Sequence, residues 1–285
     1  MISNLMRFDD NILSDIVNST LLLYLNLDIG TTKLVIMLFL LTLILLHTSQ
    51  SIITLQQITS DDIESINWTS EIATLNSPTS ADLLTPLQAA SKYNAIKIIA
   101  ALLSHGVDIN QAHPSSGETS VMYAARVGSN AALNLLLVHG ADATLLDNDK
   151  RTALHLAALD IYPGGESSQI VKMLSTIPQI KINPNAMDTR GNTPLHLACY
   201  FGGDPEFVEE LLLHLSLSEI DTPDVNGNTA LMFCAGKGKL AETLLLLKSG
   251  ADISLQNKNG ETALNRAEKN SSNEIVVALS NDGEL

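Results

Sequence analysis

The chain has 285 residues, of which 45% are hydrophobic and only 4% aromatic, and its formal net charge at pH 7 is -15. This length allows one or two domains, and the shortage of aromatic residues argues against a β-sandwich or a β-barrel. The acidic balance argues against nucleic-acid binding, which needs a basic face to neutralise phosphates. It leaves room for a basic protein partner, or for a role in solubility alone.

The chain begins with an acidic segment, residues 1–33, which is followed by a hydrophobic segment, residues 34–51. We expect the first segment to be polar, acidic and without a fold of its own. In the second, the run from Leu34 to Leu46 reads LVIMLFLLTLILL and carries no charge. A membrane-spanning helix needs about 20 apolar residues, so this run is short for that role and matches a signal-peptide core in length.

Three interpretations of this hydrophobic helix are open. It is a signal anchor or a marginal transmembrane helix, the core of a cleaved signal whose true start is Met37, or a buried helix or translated sequence upstream of the real start. We favour membrane contact, because a surface that exposed this run to water would aggregate. The expected location is then cytoplasmic-facing and membrane-anchored, with entry into the secretory pathway also open. Residues 52–84 are polar and form either a linker or a degenerate repeat.

From residue 85 onward one phrase recurs. The copies are TPLQAAS from Thr85, TSVMYAA from Thr119, TALHLAA from Thr152, TPLHLAC from Thr193, TALMFCA from Thr229 and TALNRAE from Thr262. Their spacings are 34, 33, 41, 36 and 33 residues. The pattern resembles the ankyrin family, whose repeat is a turn followed by two helices with a T-P-L-H-x-A signature. The resemblance covers residues 85–285 and implies an all-α solenoid of about six stacked repeats with β-turn or hairpin tips.

Local chemistry supports this organisation. Thr193 is a good N-cap for the first helix of its copy, and Pro194 suits the first helical position because no hydrogen bond is lost there. Gly106, Gly140 and Gly250 follow Leu-rich runs, where a helix ends in a left-handed residue. The third copy carries an insert at residues 161–168 and lacks this glycine. The sixth copy is short and polar, which is typical of a terminal cap.

The resemblance also implies roles for the signature histidines. His155 and His196 are expected to bond the hydroxyls of Thr152 and Thr193 and the neighbouring backbone. Other copies replace the histidine, which predicts that they lose this bond and are looser. The replacements are Gln88, Met122, Met232 and Asn265.

Two cysteines, Cys199 and Cys234, stand where other copies carry Ala, and we expect both to be small, buried and reduced. No zinc-ligand spacing and no catalytic motif is present in the sequence, so we expect no enzyme activity, metal, cofactor or small-molecule ligand. The segment from Gly236 to Lys239 does not match a phosphate loop and is expected to be a turn between helices.

The remaining candidate is a protein-binding surface, because partners of ankyrin-like stacks usually dock on the turn tips and the exposed side of the inner helices. Aromatic residues and Arg are enriched among interface anchors, so Tyr200, Phe201 and Arg190 are the leading candidates. The full set of expected contact residues is Arg126, Asp149, Arg151, Asp160, Arg190, Tyr200, Phe201, Asn226, Asn228 and Lys237.

The predicted function is a protein-interaction module or scaffold that binds a partner through the concave face and the turn tips. Two alternatives are open. One is a membrane-tethered or secreted adaptor located by the hydrophobic segment. The other is a regulatory inhibitor of an enzyme or a transcription factor.

Overall fold

The computed structural model describes residues 84–159, 167–176, 183–201 and 204–280. These ranges contain helices and turns and no strand. The helices are α1 Pro86–Lys92, α2 Ile96–Ser104, α3 Ser120–Arg126, α4 Asn130–Val138, α5 Ala153–Ala158, α6 Ser167–Thr176, α7 Pro194–Phe201, α8 Pro205–Leu212, α9 Leu217–Ile220, α10 Ala230–Lys237, α11 Leu240–Lys248, α12 Ala263–Lys269 and α13 Asn273–Ser280. The predictions for residues 1–83, including the hydrophobic segment, lie outside the described ranges.

The helices form two layers. The inner layer is the row α1, α3, α5, α7, α10 and α12, in which each helix packs on the next. The outer layer is the row α2, α4, α6, α8, α11 and α13, which pack on one another in the same order. The two layers of helix pairs confirm the all-α solenoid.

Small side chains allow the inner helices to approach closely. Ala90, Ala124, Ala157 and Ala198 are at most 1% exposed and lie at equivalent positions of α1, α3, α5 and α7. The outer helices contribute larger residues, such as the fully buried Leu136. A single helix pair cannot bury this apolar surface alone, so each repeat depends on its neighbours.

The predicted helix ends are found in the described ranges. Thr152 accepts a hydrogen bond from the backbone of His155, three residues on, and so caps α5. Gly106, Gly140 and Gly250 have φ values of 74°, 85° and 89°, the left-handed conformation that glycine adopts without a steric penalty. Gly238 ends α10 in the same conformation, which confirms an inter-helix turn at that point.

The signature histidines link each repeat to the next. In His196, Nδ1 accepts a hydrogen bond from the Thr193 backbone N–H at 3.2 Å and from the Thr193 hydroxyl at 2.8 Å. Its Nε2 donates to the carbonyl oxygen of Asn228 at 3.0 Å. His155 makes the equivalent bonds to Thr152 and Asn192. The predicted role of both histidines is therefore confirmed.

The expectation that the other copies lose this bond is wrong for α1. Gln88 accepts from the Thr85 backbone N–H through Oε1 at 3.0 Å. Its Nε2 donates to the carbonyl oxygens of Gln111 at 3.0 Å and Glu118 at 3.3 Å, in the next repeat. A glutamine amide carries an acceptor and a donor at opposite ends, so it replaces both ring nitrogens.

Asn265 and Met122 keep the local half of the bond. The Asn265 amide oxygen accepts from the Thr262 backbone N–H at 3.1 Å, and the Met122 sulfur lies 3.4 Å from the Thr119 nitrogen. Sulfur is a weak acceptor, so the copy with Met122 holds its turn less firmly.

Three further differences from the sequence predictions appear. Cys199 and Cys234 are completely buried, as expected, but they form a disulfide bond between α7 and α10 and are not reduced. Ser167 and Ser168, predicted in the insert, belong to α6 and are buried. A short additional helix, α9, follows α8.

No helix in the described ranges has the length and apolar character that a membrane crossing requires. The run from Leu34 to Leu46 is not covered by this observation, because it lies outside those ranges.

Candidate protein-binding surface

The tips between helix pairs are closed by one repeated arrangement. Asp147, Asp188, Asp224 and Asn257 each accept hydrogen bonds from the backbone N–H groups two and four residues further on, at 2.7–3.0 Å. A short polar side chain that bonds its own backbone in this way stabilises a turn. Exposed side chains on the tips are therefore presented from ordered backbone.

Backbone hydrogen bonds join successive tips into a row. The Thr189 N–H donates to the carbonyl oxygen of Asp149 at 2.8 Å. Equivalent bonds run from Asn148 to Ser116, from Val225 to Arg190 and from Lys258 to Asn226. The tips thus form a continuous edge beside the inner helices.

Between this edge and the inner helices lies a groove of about 680 Å³, which we call the inner groove. It extends over α1, α3 and α7 and over Leu159, just after α5. Its lining residues are Leu84, Lys92, His113, Ser116, Glu118, Tyr123, Arg126, Asp149, Arg151, Leu159, Asp188, Thr189, Arg190, Asn192, Leu197 and Phe201.

A buried carboxylate organises one part of this groove. The Glu118 side chain is only 3% exposed and forms an ion pair with Arg126, while Arg151 lies 3.9 Å from the same carboxylate. Arg151 also donates from Nε to Asp147 at 2.7 Å and pairs with Asp149 at 3.1 Å. Burial, followed by the nearby charge of Arg151, lowers the pKa of Arg126. These two guanidinium groups are held by carboxylates of the chain itself.

Arg190 is in a different position. Its side chain lines the inner groove and is exposed, and no carboxylate in the described ranges lies within ion-pair distance of its guanidinium. The backbone of Arg190 is nevertheless fixed, because its N–H donates to Asp188 and its carbonyl accepts from Val225. Its charge is therefore available at the surface of an ordered tip.

Next to the groove, the end of α7 exposes two aromatic rings. Tyr200 is 43% and Phe201 is 53% exposed, and their ring centroids lie 4.9 Å apart in an edge-on arrangement. Tyr200 also packs edge-on against Phe233 of α10 at 5.6 Å. The Lys237 ammonium lies 3.9 Å from the centroid of the Tyr200 ring, within cation–π range. We call Tyr200, Phe201, Phe233 and Lys237 the aromatic cluster.

A second, smaller cavity of about 380 Å³ adjoins the aromatic cluster. Its lining residues are Tyr200, Phe233, Gly236, Lys237, Glu261, Arg266, Lys269 and Asn270. Glu261 pairs with Lys269 and with Arg266. Hydrogen bonds from Lys269 and Asn257 to this carboxylate lower the pKa of Glu261 to about 2, so it is charged at neutral pH.

The structure brings most of the predicted contact residues together. Five of them line the inner groove, namely Arg126, Asp149, Arg151, Arg190 and Phe201. Tyr200 and Lys237 line the second cavity, and Asn226 is exposed on a tip. Asp160 lies outside the described ranges.

Asn228 does not belong to this surface. Its side chain is only 5% exposed, donates to Asp224 at 3.0 Å and accepts from Asn257 at 2.9 Å. Its carbonyl receives the bond from His196. The prediction of Asn228 as a contact residue is therefore wrong, and its role is to join neighbouring tips.

Sequence reasoning missed Glu118, Phe233 and Arg266. Phe233 was detectable in principle, because the copy TALMFCA carries an aromatic residue where TALHLAA and TPLHLAC carry Leu. The roles of Glu118 and Arg266 were not detectable from the sequence, since each depends on a residue of another turn or helix.

Comparison with known proteins identifies the family. The sequence model of ankyrin repeats (3 copies) matches residues 60–147, 87–175, 121–221, 161–255 and 201–284. The chain belongs to the ankyrin-repeat family, whose stacked repeats generally serve as protein-interaction modules.

Similar proteins carry these repeats in different settings. An ankyrin repeat protein of fowlpox virus, FPV031, is 34% identical over 41% of this chain and 33% of its own length. Human palmitoyltransferase ZDHHC13 is 29% identical over 67% of this chain and 29% of its own length. Human SH3 and multiple ankyrin repeat domains protein 2 is 32% identical over 61% of this chain and 9% of its own length. The chain thus matches no more than about a third of each of these relatives.

Proposed function

We propose that this chain binds a protein partner along the inner groove and the aromatic cluster. The observation that carries the proposal is the convergence of Arg190, Tyr200 and Phe201, all exposed, beside a groove of about 680 Å³. Arg and Tyr are over-represented among the residues that dominate binding energy. Exposed neighbouring aromatic rings with a polar rim are also typical of interaction sites.

The backbone that presents these side chains is well supported. Arg190 stands on a tip tied to both neighbouring tips through Asp149 and Val225. The aromatic residues stand at the end of α7, which packs on α5 and α10. An ordered surface loses little conformational entropy on association, so such contacts can contribute fully to affinity.

The test is an affinity purification with the full chain as bait and mass spectrometry of the retained proteins. The Tyr200→Ala/Arg190→Ala variant is compared with wild type, and circular dichroism checks that both are folded. The matched control is Leu213→Ala/Lys248→Ala, which removes one exposed apolar side chain just after α8 and one exposed cationic side chain of α11.

A partner retained by wild type and by the control, but lost by Tyr200→Ala/Arg190→Ala, supports the proposal. A partner retained equally by all three proteins would place the interface elsewhere on the chain.

A further inference from the structure

The arginines of this acidic chain are concentrated on one face. The sequence has five arginines, and the four within the described ranges all line the inner groove or the second cavity. They are Arg126, Arg151, Arg190 and Arg266. Lys92, Lys237 and Lys269 line the same two cavities. A chain with a net charge of -15 thus carries a local concentration of cations on its inner face.

The carboxylates of these cavities are mostly occupied within the chain. Glu118 is buried against Arg126, and Asp188 accepts two backbone hydrogen bonds and one from the amide of Asn192. Glu261 is paired with Lys269 and Arg266. These acidic groups are committed to the tips and to the ion pairs, so they are not available to a basic ligand.

Within the described ranges, three of these cations, Lys92, Arg190 and Lys237, have no carboxylate partner, and the last two lie closest to the aromatic cluster. Within the described part of the chain, neither the Arg190 guanidinium nor the Lys237 ammonium is in ion-pair contact with a carboxylate. Lys237 rests on the Tyr200 ring, and Arg190 lines the same groove as Phe201. Arg190 and Lys237 therefore lie beside the exposed aromatic rings of α7. A carboxylate of a partner could pair with either cation without displacing an existing ion pair.

We infer that the partner contributes an acidic polypeptide segment, whose carboxylates pair with Arg190 and Lys237 while an apolar side chain packs on Phe201 and Tyr200. This inference rests on the proposed function and names the chemistry of the partner. It reverses the expectation from net charge, which left room for a basic partner. Guanidinium groups bind carboxylates in a two-pronged geometry, which favours an Asp or Glu side chain at Arg190.

The test selects random peptides displayed on phage against the immobilised full chain and sequences the bound pool. We expect Asp and Glu to be enriched over Lys and Arg by about threefold relative to the starting library, because complementary charge guides selection. The best peptide is then synthesised with a fluorescent label, and its Kd is measured by anisotropy.

Charge reversal tests the location of the acidic contacts. Arg190→Glu/Lys237→Glu should raise the Kd of the selected peptide by at least about tenfold. Added salt should also raise the Kd of the wild-type protein, because it screens the charges. The matched control, Lys97→Glu/Lys248→Glu, makes the same change of charge on outer helices α2 and α11 and should leave the Kd within about twofold of wild type.

The failures of the inference and of the proposed function are distinguishable. Neutral or basic peptides that lose binding in Tyr200→Ala/Arg190→Ala would overturn the acidic partner and leave the binding surface in place. Acidic peptides that bind all variants equally would place the acidic contact elsewhere and overturn the inference, while the affinity purification would decide the proposed function. An empty selection would also contradict the inference, whereas the affinity purification would still decide the proposed function.

Discussion

The Nε2 atom of His196 lies 3.0 Å from the carbonyl oxygen of Asn228, which belongs to the next tip along the stack. A carbonyl oxygen can only accept, so Nε2 carries the proton, and Nδ1 must accept from Thr193. The buried ring is therefore neutral and in one tautomer. Protonation of Nδ1 would place the ring N–H against the backbone N–H of Thr193. The hydrogen bond between His196 and the Thr193 backbone would then be lost.

This arrangement predicts a specific pH dependence of stability. Burial is the largest effect on both His155 and His196 and lowers their pKa below the ordinary 6.5. The unfolded chain therefore binds protons more readily than the folded one. The contribution of these histidines is present above about pH 6.5 and is lost as the pH falls through their lower folded pKa. Urea unfolding at pH 7.5 and at more acidic values measures this loss.

Gln88 suggests the matched variant. Because a glutamine makes both sets of bonds in α1, His155→Gln/His196→Gln should keep the stability of wild type at pH 7.5 within about 1 kcal/mol. It should also lose less stability than wild type on acidification. Equal pH profiles for the two proteins would show that other groups determine the acid sensitivity.

A second prediction concerns the disulfide bond between Cys199 and Cys234, which closes a loop with a sequence separation of 35 residues. A cross-link of this span restricts the unfolded chain, and its loss should lower the free energy of unfolding by about 3–4 kcal/mol. Urea unfolding with and without a reducing agent measures the effect, and Cys199→Ala/Cys234→Ala should be insensitive to the reductant. Mass spectrometry after alkylation that found two free thiols in the native protein would contradict the bond.

A third prediction separates structural from binding roles among the arginines. Arg126→Met leaves the Glu118 carboxylate, only 3% exposed, without its closest cation and should destabilise the fold by about 3 kcal/mol. Glu118→Gln/Arg126→Met should recover part of this loss, since no buried charge remains. Arg190→Met should change the unfolding midpoint little, because its guanidinium is exposed. A similar loss for Arg126→Met and Arg190→Met would contradict the distinction.

A fourth prediction compares two leucines. Leu195 in α7 is 1% exposed, and Leu195→Ala should lower the free energy of unfolding by about 2–5 kcal/mol through lost contacts and a cavity. Leu213, just after α8, is 73% exposed, and Leu213→Ala should cost less than about 0.5 kcal/mol. Thermal unfolding of both variants measures the difference. A small loss at Leu195 would mean that the stack can close around the missing side chain.

Much of the repeat architecture could be predicted because its determinants are local. A Thr N-cap and its partner lie three residues apart, and a glycine ends a helix through its own φ angle. The recurrence of such phrases near a 33-residue period then indicated a stack, since one helix pair cannot bury its apolar side alone. The bonds from His155 to Thr152 and from His196 to Thr193 were predictable from the family resemblance, because these partners also lie three residues apart.

Part of the binding surface was also predictable. Tyr200 and Phe201 follow small buried residues in their copy, and Arg190 stands in a turn, so each was expected near the surface. The sequence could not distinguish the buried Asn228 from its exposed neighbours, because the burial of Asn228 depends on Asn257 in the next tip.

The sequence by itself determined the helix pairs, their caps and their order, because these follow from interactions between residues that are close in the chain. Only the tertiary structure decided that Gln88 replaces a histidine, that Cys199 bonds Cys234 and that Glu118 is buried between two arginines. The disulfide and the hydrogen bonds from Nε2 of Gln88 join adjacent repeats, across 23 to 35 residues of chain. The buried carboxylate depends in the same way on Arg151, which reaches it from a later tip. Their geometry is set by how two repeats stack, which no single repeat encodes.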